Sequence, residues 1–385
     1  MRGENDGGSD EALTCPSCLN DAAVPGIEFG ADGVCSYCRE YEEWKDRLTD
    51  WARLDELWLQ RVEYHRGRGE QYDALVGLSG GKDSTYVLYQ LAKVHGLRVL
   101  AFTIDNGFLN EWARGRVAEI IKTLDVDHLF VDFPKEVLAP LYKMSIMATG
   151  APCSGCSYAV YSATIKLAEE RKIPMAVHGR SRPQMFKHLS FEGNDPFTPF
   201  IRSALEPIAS RDLKATYAES VNRIRASLPS QLVGGLMERF FPSFTKMEKG
   251  QSGEAGQTDK DGSLRLTEFV PYFIYHPYEE RKMVKLLEEK IGWKPPDDYD
   301  ILKHFDCDAH DAAGYLYHIV EGRPHVLPEL SVMIREGQLT REEAKKRLEL
   351  ERSDVFPGKS MKALANILDT SPSDLEADVR RLSGS

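Results

Sequence analysis

Tyr72 to Gly96 reads YDALVGLSGGKDSTYVLYQLAKVHG, and the fold follows from how this stretch divides. YDALVGL is a short apolar run of the kind that forms a buried strand, while STYVLYQLAKVHG carries its apolar residues at helical spacing and stops at Gly96. Between the two lies Ser79-Gly80-Gly81-Lys82-Asp83-Ser84. Glycines there let backbone N–H groups approach an anion closely. The helix start adds its own free N–H groups and dipole, which together make a phosphate site. Lys82 and the two serine hydroxyls can add charge and hydrogen bonds. The plainer alternative is a glycine-rich turn with an exposed lysine.

Working outward, RVLAFTID reads as a second strand, ARGRVAEIIKTLD as a helix and HLFVDF as a third strand. A helix over 157–172 then leads to a fourth strand, PMAVHG. This alternation predicts an α/β fold with a doubly wound parallel sheet that binds ligands at the carboxyl ends of its strands. The rhythm breaks after 190, where 191–265 reads as a helical insertion (ATYAESVNRIRASL, QLVGGLMERFF) ending in a mobile polar loop, EKGQSGEAGQTDKDGS. It resumes with TEFVPYFIYHP as a strand and YEERKMVKLLEEKIG as a helix capped at Gly292. The expected division is therefore 1–12 disordered, 13–40 a cysteine knuckle, 41–70 a helical linker, 71–190 and 266–310 the α/β core, and 311–385 a C-terminal helical region. Thr340 and Glu343 are spaced as a capping box. Residues 200–240 are candidates for a substrate lid or a homo-oligomer interface.

Of the 385 residues, 42% are hydrophobic and 28% charged, ordinary values for a globular chain. No run approaches the ~18 apolar residues of a membrane span, and the acidic, glycine-rich start MRGENDGGSDEALT lacks the apolar centre of a signal peptide. A cytoplasmic location is expected. The net charge of −11 argues against a nucleic-acid partner, which needs a Lys/Arg surface, and for a small-molecule substrate.

The seven cysteines fall into two sets. Cys15 and Cys18, then Cys35 and Cys38, have the paired CxxC spacing of a closed, tetrahedral Zn²⁺ site; four free thiols are the alternative. Cys153 and Cys156 form a further CxxC, with Cys307 far downstream. A metal cluster, a redox or persulfide thiol pair, and inert buried cysteines all remain open for this set. His304, His310 and Asp308 stand near Cys307 and leave room for a zinc reading too.

The hexapeptide does not fit GxxxxGK[ST], the loop of kinases and GTPases. It resembles the SGGxDS signature of the PP-loop ATP pyrophosphatase superfamily (adenine nucleotide alpha hydrolase-like, HUP-like fold). That resemblance implies that Ser79, Gly80, Gly81, Lys82, Asp83 and Ser84 hold the β- and γ-phosphates of ATP with Mg²⁺, that Asp83 and Lys82 take part in catalysis, and that Asp105, Gly179 and Arg180 contact the nucleotide. A substrate oxygen would attack the α-phosphorus, giving an adenylate and pyrophosphate.

Two branches of the superfamily are also resembled. The second cysteine set is similar to the tRNA 2-thiolation branch, which implies a 4Fe-4S cluster on Cys153, Cys156 and Cys307, with Cys153 and Cys156 in a catalytic part and a sulfur-donor protein as partner. The whole layout, from TCPSCLNDAAVPGIEFGADGVCSYC to IREGQLTREEAKKRLELER and DLEADVRRL, resembles the N-acetyl sugar amidotransferases of surface-polysaccharide biosynthesis. This implies conversion of an acetamido to an acetamidino group, with ammonia from a partner glutaminase; the PCSGC pair is a departure from that branch. The reading taken forward is adenylation of an amide or carbonyl oxygen on a small molecule and displacement of AMP by ammonia. A cluster-dependent sulfurtransferase is the alternative. A protein that holds ATP without chemistry is disfavoured by the intact loop.

Overall fold

The computed structural model describes residues 13–24, 26–187, 197–227, 266–297, 305–351 and 353–383. The expected disordered start, the QLVGGLMERFF helix and the polar loop after it lie outside these described residues.

Five strands form one sheet: β1 (Ala74–Gly77), β2 (Val99–Asp105), β3 (Asp127–Asp132), β4 (Met175–His178) and β5 (Glu268–Pro271). Their order is β3-β2-β1-β4-β5, and every neighbouring pair is parallel. The chain leaves β1 in one direction through β2 and β3, then returns to the other side of β1 with β4. The connections therefore diverge at the carboxyl ends of β1 and β4, where a crevice opens. The strands of the expected sheet are all present. The fifth is shorter than TEFVPYFIYHP suggests: its partner β4 ends at His178, opposite Pro271, so the chain beyond has nothing to pair with. Tyr272–Tyr275 winds into a helical turn instead and buries all four side chains. A continuous apolar run cannot itself tell strand from buried helix.

The helices follow in chain order: α1 (Ser36–Thr49), α2 (Trp51–His65), α3 (Lys82–Tyr89), α4 (Glu111–Leu124), α5 (Lys135–Thr149), α6 (Cys153–Glu170), α7 (Arg182–Phe186), α8 (Thr198–Ala204), α9 (Leu213–Ser227), α10 (Tyr272–Tyr275), α11 (Glu280–Ile291), α12 (His310–Glu321), α13 (Leu327–Arg335), α14 (Arg341–Leu350), α15 (Gly358–Ile367) and α16 (Pro372–Ser383). Helix α3 continues as a π-helical turn over Gln90–Val94 and stops at Gly96, which takes a positive φ as its sequence suggests. Gly292 ends α11 in the same left-handed conformation, and Thr340 and Glu343 make both halves of the capping box on α14. No helix among the described residues is long and apolar enough to cross a membrane.

One face of the sheet packs Val76, Ala101 and Val177 with α3, α4 and α11; the other packs Leu75, Leu100 and Phe269 with α5, α6 and α12. The charged stretch after the knuckle joins the first of these cores. Leu54, Leu57, Trp58 and Val62 of α2 are buried there, and the Trp58 indole donates to His95 Nε2 at 2.9 Å. Beneath β5, Glu268 receives Arg61 Nε at 3.1 Å and His65 Nε2 at 2.6 Å, and it also pairs with Arg211. Removing one partner of such a buried set costs far more than the set contributes against an apolar replacement.

Two buried histidines make the fold sensitive to acid. Burial, joined by the Arg211 and Arg61 guanidinium groups, holds His65 well below the usual imidazole range. Burial, with His95 nearby, pulls His276 down to about 4. In the unfolded chain both bind a proton near the ordinary value of 6.5, so the unfolded state takes up protons first and stability falls as pH drops below that value. His276 alone accounts for about 2 kcal/mol at pH 5. Melting curves from pH 7.5 to 5 should fall for the wild type and fall less for His276→Gln. Parallel curves would contradict this account.

Candidate active site at the β1–β4 crevice

The chain leaves β1 through Leu78 and Ser79 and turns at Gly80, whose φ is +86°. A side chain there would be strained by the backbone angle, and its Cβ would sit 2.8 Å from the Ala113 carbonyl of α4. Gly81 is the N-cap of α3 and has no side chain to cover the helix's first N–H groups. Ser79 and Ser84 brace the loop from within: the Ser79 N–H donates to Ser84 Oγ at 3.1 Å, and the two hydroxyls lie 3.2 Å apart. The Trp293 indole holds it from behind by donating to the Gly80 carbonyl at 3.0 Å. The N–H groups at the start of α3 thus face the crevice with the dipole of the helix behind them, the arrangement an anion needs.

The crevice is a cavity of about 360 Å³ lined by Ser79, Gly81, Lys82, Asp83 and Ser84 of the loop, Gly179 and Arg180 after β4, and Cys156 and Cys307. These predicted site residues converge. Asp105 does not join them: it accepts from the Gly107 N–H at 2.9 Å and pairs with Arg114, and its neighbour Asn106 lines the cavity instead. Lys82 is buried beside Asp83 and Glu280, at 3.7 and 3.6 Å. Burial pulls its pKa down, yet Asp83, Glu280 and Asp306 outweigh that and set it above the usual lysine value. Tyr278 donates to Asp83 Oδ1 at 2.9 Å and to Glu280 Oε1 at 3.3 Å. Burial raises the Glu280 carboxyl above its ordinary range. His310 lines a second, smaller cavity that Lys82 also borders, and His304 lies outside the described residues.

Cys307 reaches the crevice because its segment is laced to the loop after β2. It bridges Leu109, the Asp308 N–H donates to the Phe108 carbonyl at 2.8 Å, and the Asn110 amide donates to the Phe305 carbonyl at 2.6 Å. Asp306 is drawn in by the same lacing and faces the loop across Gly81. Cys156 receives the Asn106 amide at 3.3 Å. Cys153, at the start of α6, is exposed one helical turn away. Burial raises the Cys156 and Cys307 thiols, and Cys307 also feels the charges of Cys156, Asp306 and Cys153. Among the described residues, the group of side chains close enough to share one ion is that of the N-terminal cysteines, and these three are not in it.

Cys15, Cys18, Cys35 and Cys38 are all buried, with their sulfurs within 4.8 Å of one another. The Asn20 and Cys35 N–H groups point at Cys18 and Cys15 Sγ, both at 3.4 Å. Four converging thiols with backbone donors to sulfur and no open side fit a closed structural zinc site. The surrounding support comes from far along the chain. Arg335 lies 3.8 Å from Cys38 Sγ, Arg341 donates to the Cys15 and Pro16 carbonyls at 2.5 and 3.2 Å and also to that of Cys18, and Leu19 and Val24 pack on Leu327, Leu330 and Ala344. Helix α13 in turn meets α7, where the buried Arg182 pairs with Glu336 and donates to the Leu48 carbonyl at 3.1 Å.

Two substitutions check this geometry. Gly80→Ala should cost about 1–3 kcal/mol through backbone strain and weaken ATP binding measured by calorimetry; wild-type affinity would contradict the loop assignment. Cys15→Ser should lose bound zinc in elemental analysis and lower the melting temperature by about 10 °C or more. Zinc retained at the wild-type level would contradict the knuckle assignment.

No family model matches the chain. A glutamine-hydrolyzing GMP synthase from Pyrobaculum aerophilum is 27% identical over 220 residues, covering 52% of this chain and 42% of that protein; the chain thus spans less than half the relative's length. Among solved structures, the U34-tRNA thiolase NcsA from Methanococcus maripaludis with its 4Fe-4S cluster aligns over 88% of each chain at 14% identity and a TM-score of 0.32. The NH3-dependent NAD synthetase from Campylobacter jejuni aligns over 54% of this chain and 99% of its own, at 14% identity and a TM-score of 0.29. These two likenesses are too weak to bear on chemistry. The parallel sheet order, the SGGKDS loop at its crevice and the sequence relation together give this chain the fold of the PP-loop ATP pyrophosphatase superfamily.

Proposed function

We propose that the protein uses ATP to adenylate an amide or carbonyl oxygen of a small molecule, as in the N-acetyl sugar amidotransferases it resembles, and that ammonia then displaces AMP. The observation that carries this reading is the loop itself: free N–H groups at the start of α3 open on a cavity bounded by Arg180, Asp306 and Asp83. The loop N–H groups hold the β- and γ-phosphates, and the cation of Arg180 adds to that field. Asp83 and Asp306 offer carboxylates for Mg²⁺, which when bound would offset the phosphate charge. The acceptor oxygen attacks the α-phosphorus, the bond to pyrophosphate breaks, and the carbon now carries AMP as a leaving group. Ammonia adds to that carbon and AMP departs. The ammonia comes from a partner glutaminase or from solution.

A second reading is favoured by one observation, the presence of Cys156 and Cys307 in the same cavity with Cys153 one turn away. These three would hold a 4Fe-4S cluster, which when bound would supply sulfide in place of ammonia. The product would then be a thioamide or thiocarbonyl.

ATP and ammonia with an N-acetylated sugar should yield AMP and pyrophosphate in equal amounts, and Asp83→Ala should lower that yield by about a hundredfold or more without loss of fold. Unchanged turnover in this variant would overturn the role given to the loop. Iron, sulfide and zinc counts on anaerobically purified protein separate the two nucleophiles. One zinc and no iron after cluster reconstitution favours nitrogen; about four irons and four sulfides beside one zinc favours sulfur.

A further inference from the structure

His178 is the last residue of β4 and lines the cavity. Val76 of β1 pairs with Val177 of β4, so Gly77 and His178 end their strands side by side at the crevice. Immediately beyond, Gly179 passes so close to the start of α3 that a Cβ would lie 3.0 Å from the Asp83 carbonyl. The imidazole itself lies on the Phe269 face of the sheet, and it lines the same cavity as the loop.

Its hydrogen bonding fixes what it offers. The Arg180 N–H donates to His178 Nδ1 at 3.2 Å, so Nδ1 carries a lone pair and the ring's proton sits on Nε2. Burial, with Arg180 adding to it, pulls the ring's pKa down to about 3, which keeps it in this one neutral form. The ring is held in place by Tyr161, edge-on at 5.5 Å, and Phe269 at 5.0 Å. Among the described residues Nε2 has no hydrogen-bond partner, yet it is not one of the occluded atoms, unlike Nε2 of His276. A fixed, neutral N–H donor thus opens on the cavity.

We propose that His178 is a catalytic residue that donates from Nε2 to the α-phosphate of the bound nucleotide. This rests on the adenylation reading and adds a contact that the loop motif does not contain. The loop accounts for the β- and γ-phosphates; the next anionic group along the crevice is the one at which substitution occurs. Charge develops on its oxygens as the acceptor attacks, and a donor already oriented there is stabilising without reorganisation.

The test uses AMP, which carries the α-phosphate alone, and pyrophosphate, which lacks it. His178→Phe keeps the ring packing against Tyr161 and Phe269 but has no donor; His178→Gln keeps an N–H. Direct calorimetric binding should show His178→Phe weakened for AMP by about tenfold or more and within twofold of wild type for pyrophosphate, with His178→Gln recovering part of the loss. Pyrophosphate release should show a lower kcat in His178→Phe at similar KM for ATP. Equal AMP affinity in wild type and His178→Phe overturns the assignment, as does an equal loss for both ligands. If His178→Phe fails to fold, AMP affinity in His178→Asn and His178→Gln decides the contact: both equal to wild type for a bystander ring, both weakened for AMP alone if the imidazole N–H is used. Wild-type protein that binds AMP and ATP but releases no pyrophosphate defeats the adenylation reading, while the AMP comparison still decides the contact.

Discussion

The unpaired N–H groups at the start of α3 are the constraint on which the rest of this structure is arranged. A helix cannot satisfy its own first turn, and here no side chain does so, because Gly81 occupies the cap position. What lies around that terminus keeps it open and rigid. Gly80 makes the turn that brings β1 into the helix, Trp293 fastens the turn from behind, and Gly179 lets β4 end against the helix's first residues. The charges follow the same logic. Lys82 lies beside Asp83 and Glu280, and Tyr278 bonds both carboxylates.

The sheet then decides which other residues share that terminus. Because β4 lies beside β1, the turn after β4 and the start of α6 fall at the same end of the molecule. Because the segment 305–309 is laced to the loop after β2, Asp306 and Cys307 arrive there too. The cavity is therefore built from five separate stretches of chain, positioned by backbone pairing together with side-chain bonds such as those of Trp293, Asn110 and the loop serines. Under the proposed reaction, such a scaffold suits either nitrogen or sulfur as the group that displaces AMP, since only the groups lining the crevice would differ.

Local constraints make part of this legible in the sequence. The phosphate loop is readable because strand, glycine turn and helix start are contiguous, and the helix ends at Gly96 and Gly292 because a left-handed stop is a one-residue requirement. The CxxC pairs are readable because two turns carry the whole ligand set. Asn106, His178, Tyr278, Trp293 and Asp306 are not. Their roles arise from contacts such as Trp293 with Gly80, 213 positions apart, and nothing in their own neighbourhood marks them. The one available signal for His178 is its place as the terminal residue of a strand beside the loop. The extra length expected of the fifth strand has a related cause: a uniformly buried run looks alike in both periods, and only the end of its partner strand decides where pairing stops.

The knuckle shows how far apart in time the pieces of one unit can be made. Its cysteines lie within residues 15–38, but the surface they pack on belongs to α13 and α14, and the Leu19 N–H bonds to Ser331 Oγ across 312 positions. On the ribosome, four thiols and an apolar flank therefore stay without their docking partners until most of the chain has emerged. Early binding of a metal ion would bridge that interval by holding the knuckle closed until the helices that cover it are synthesised.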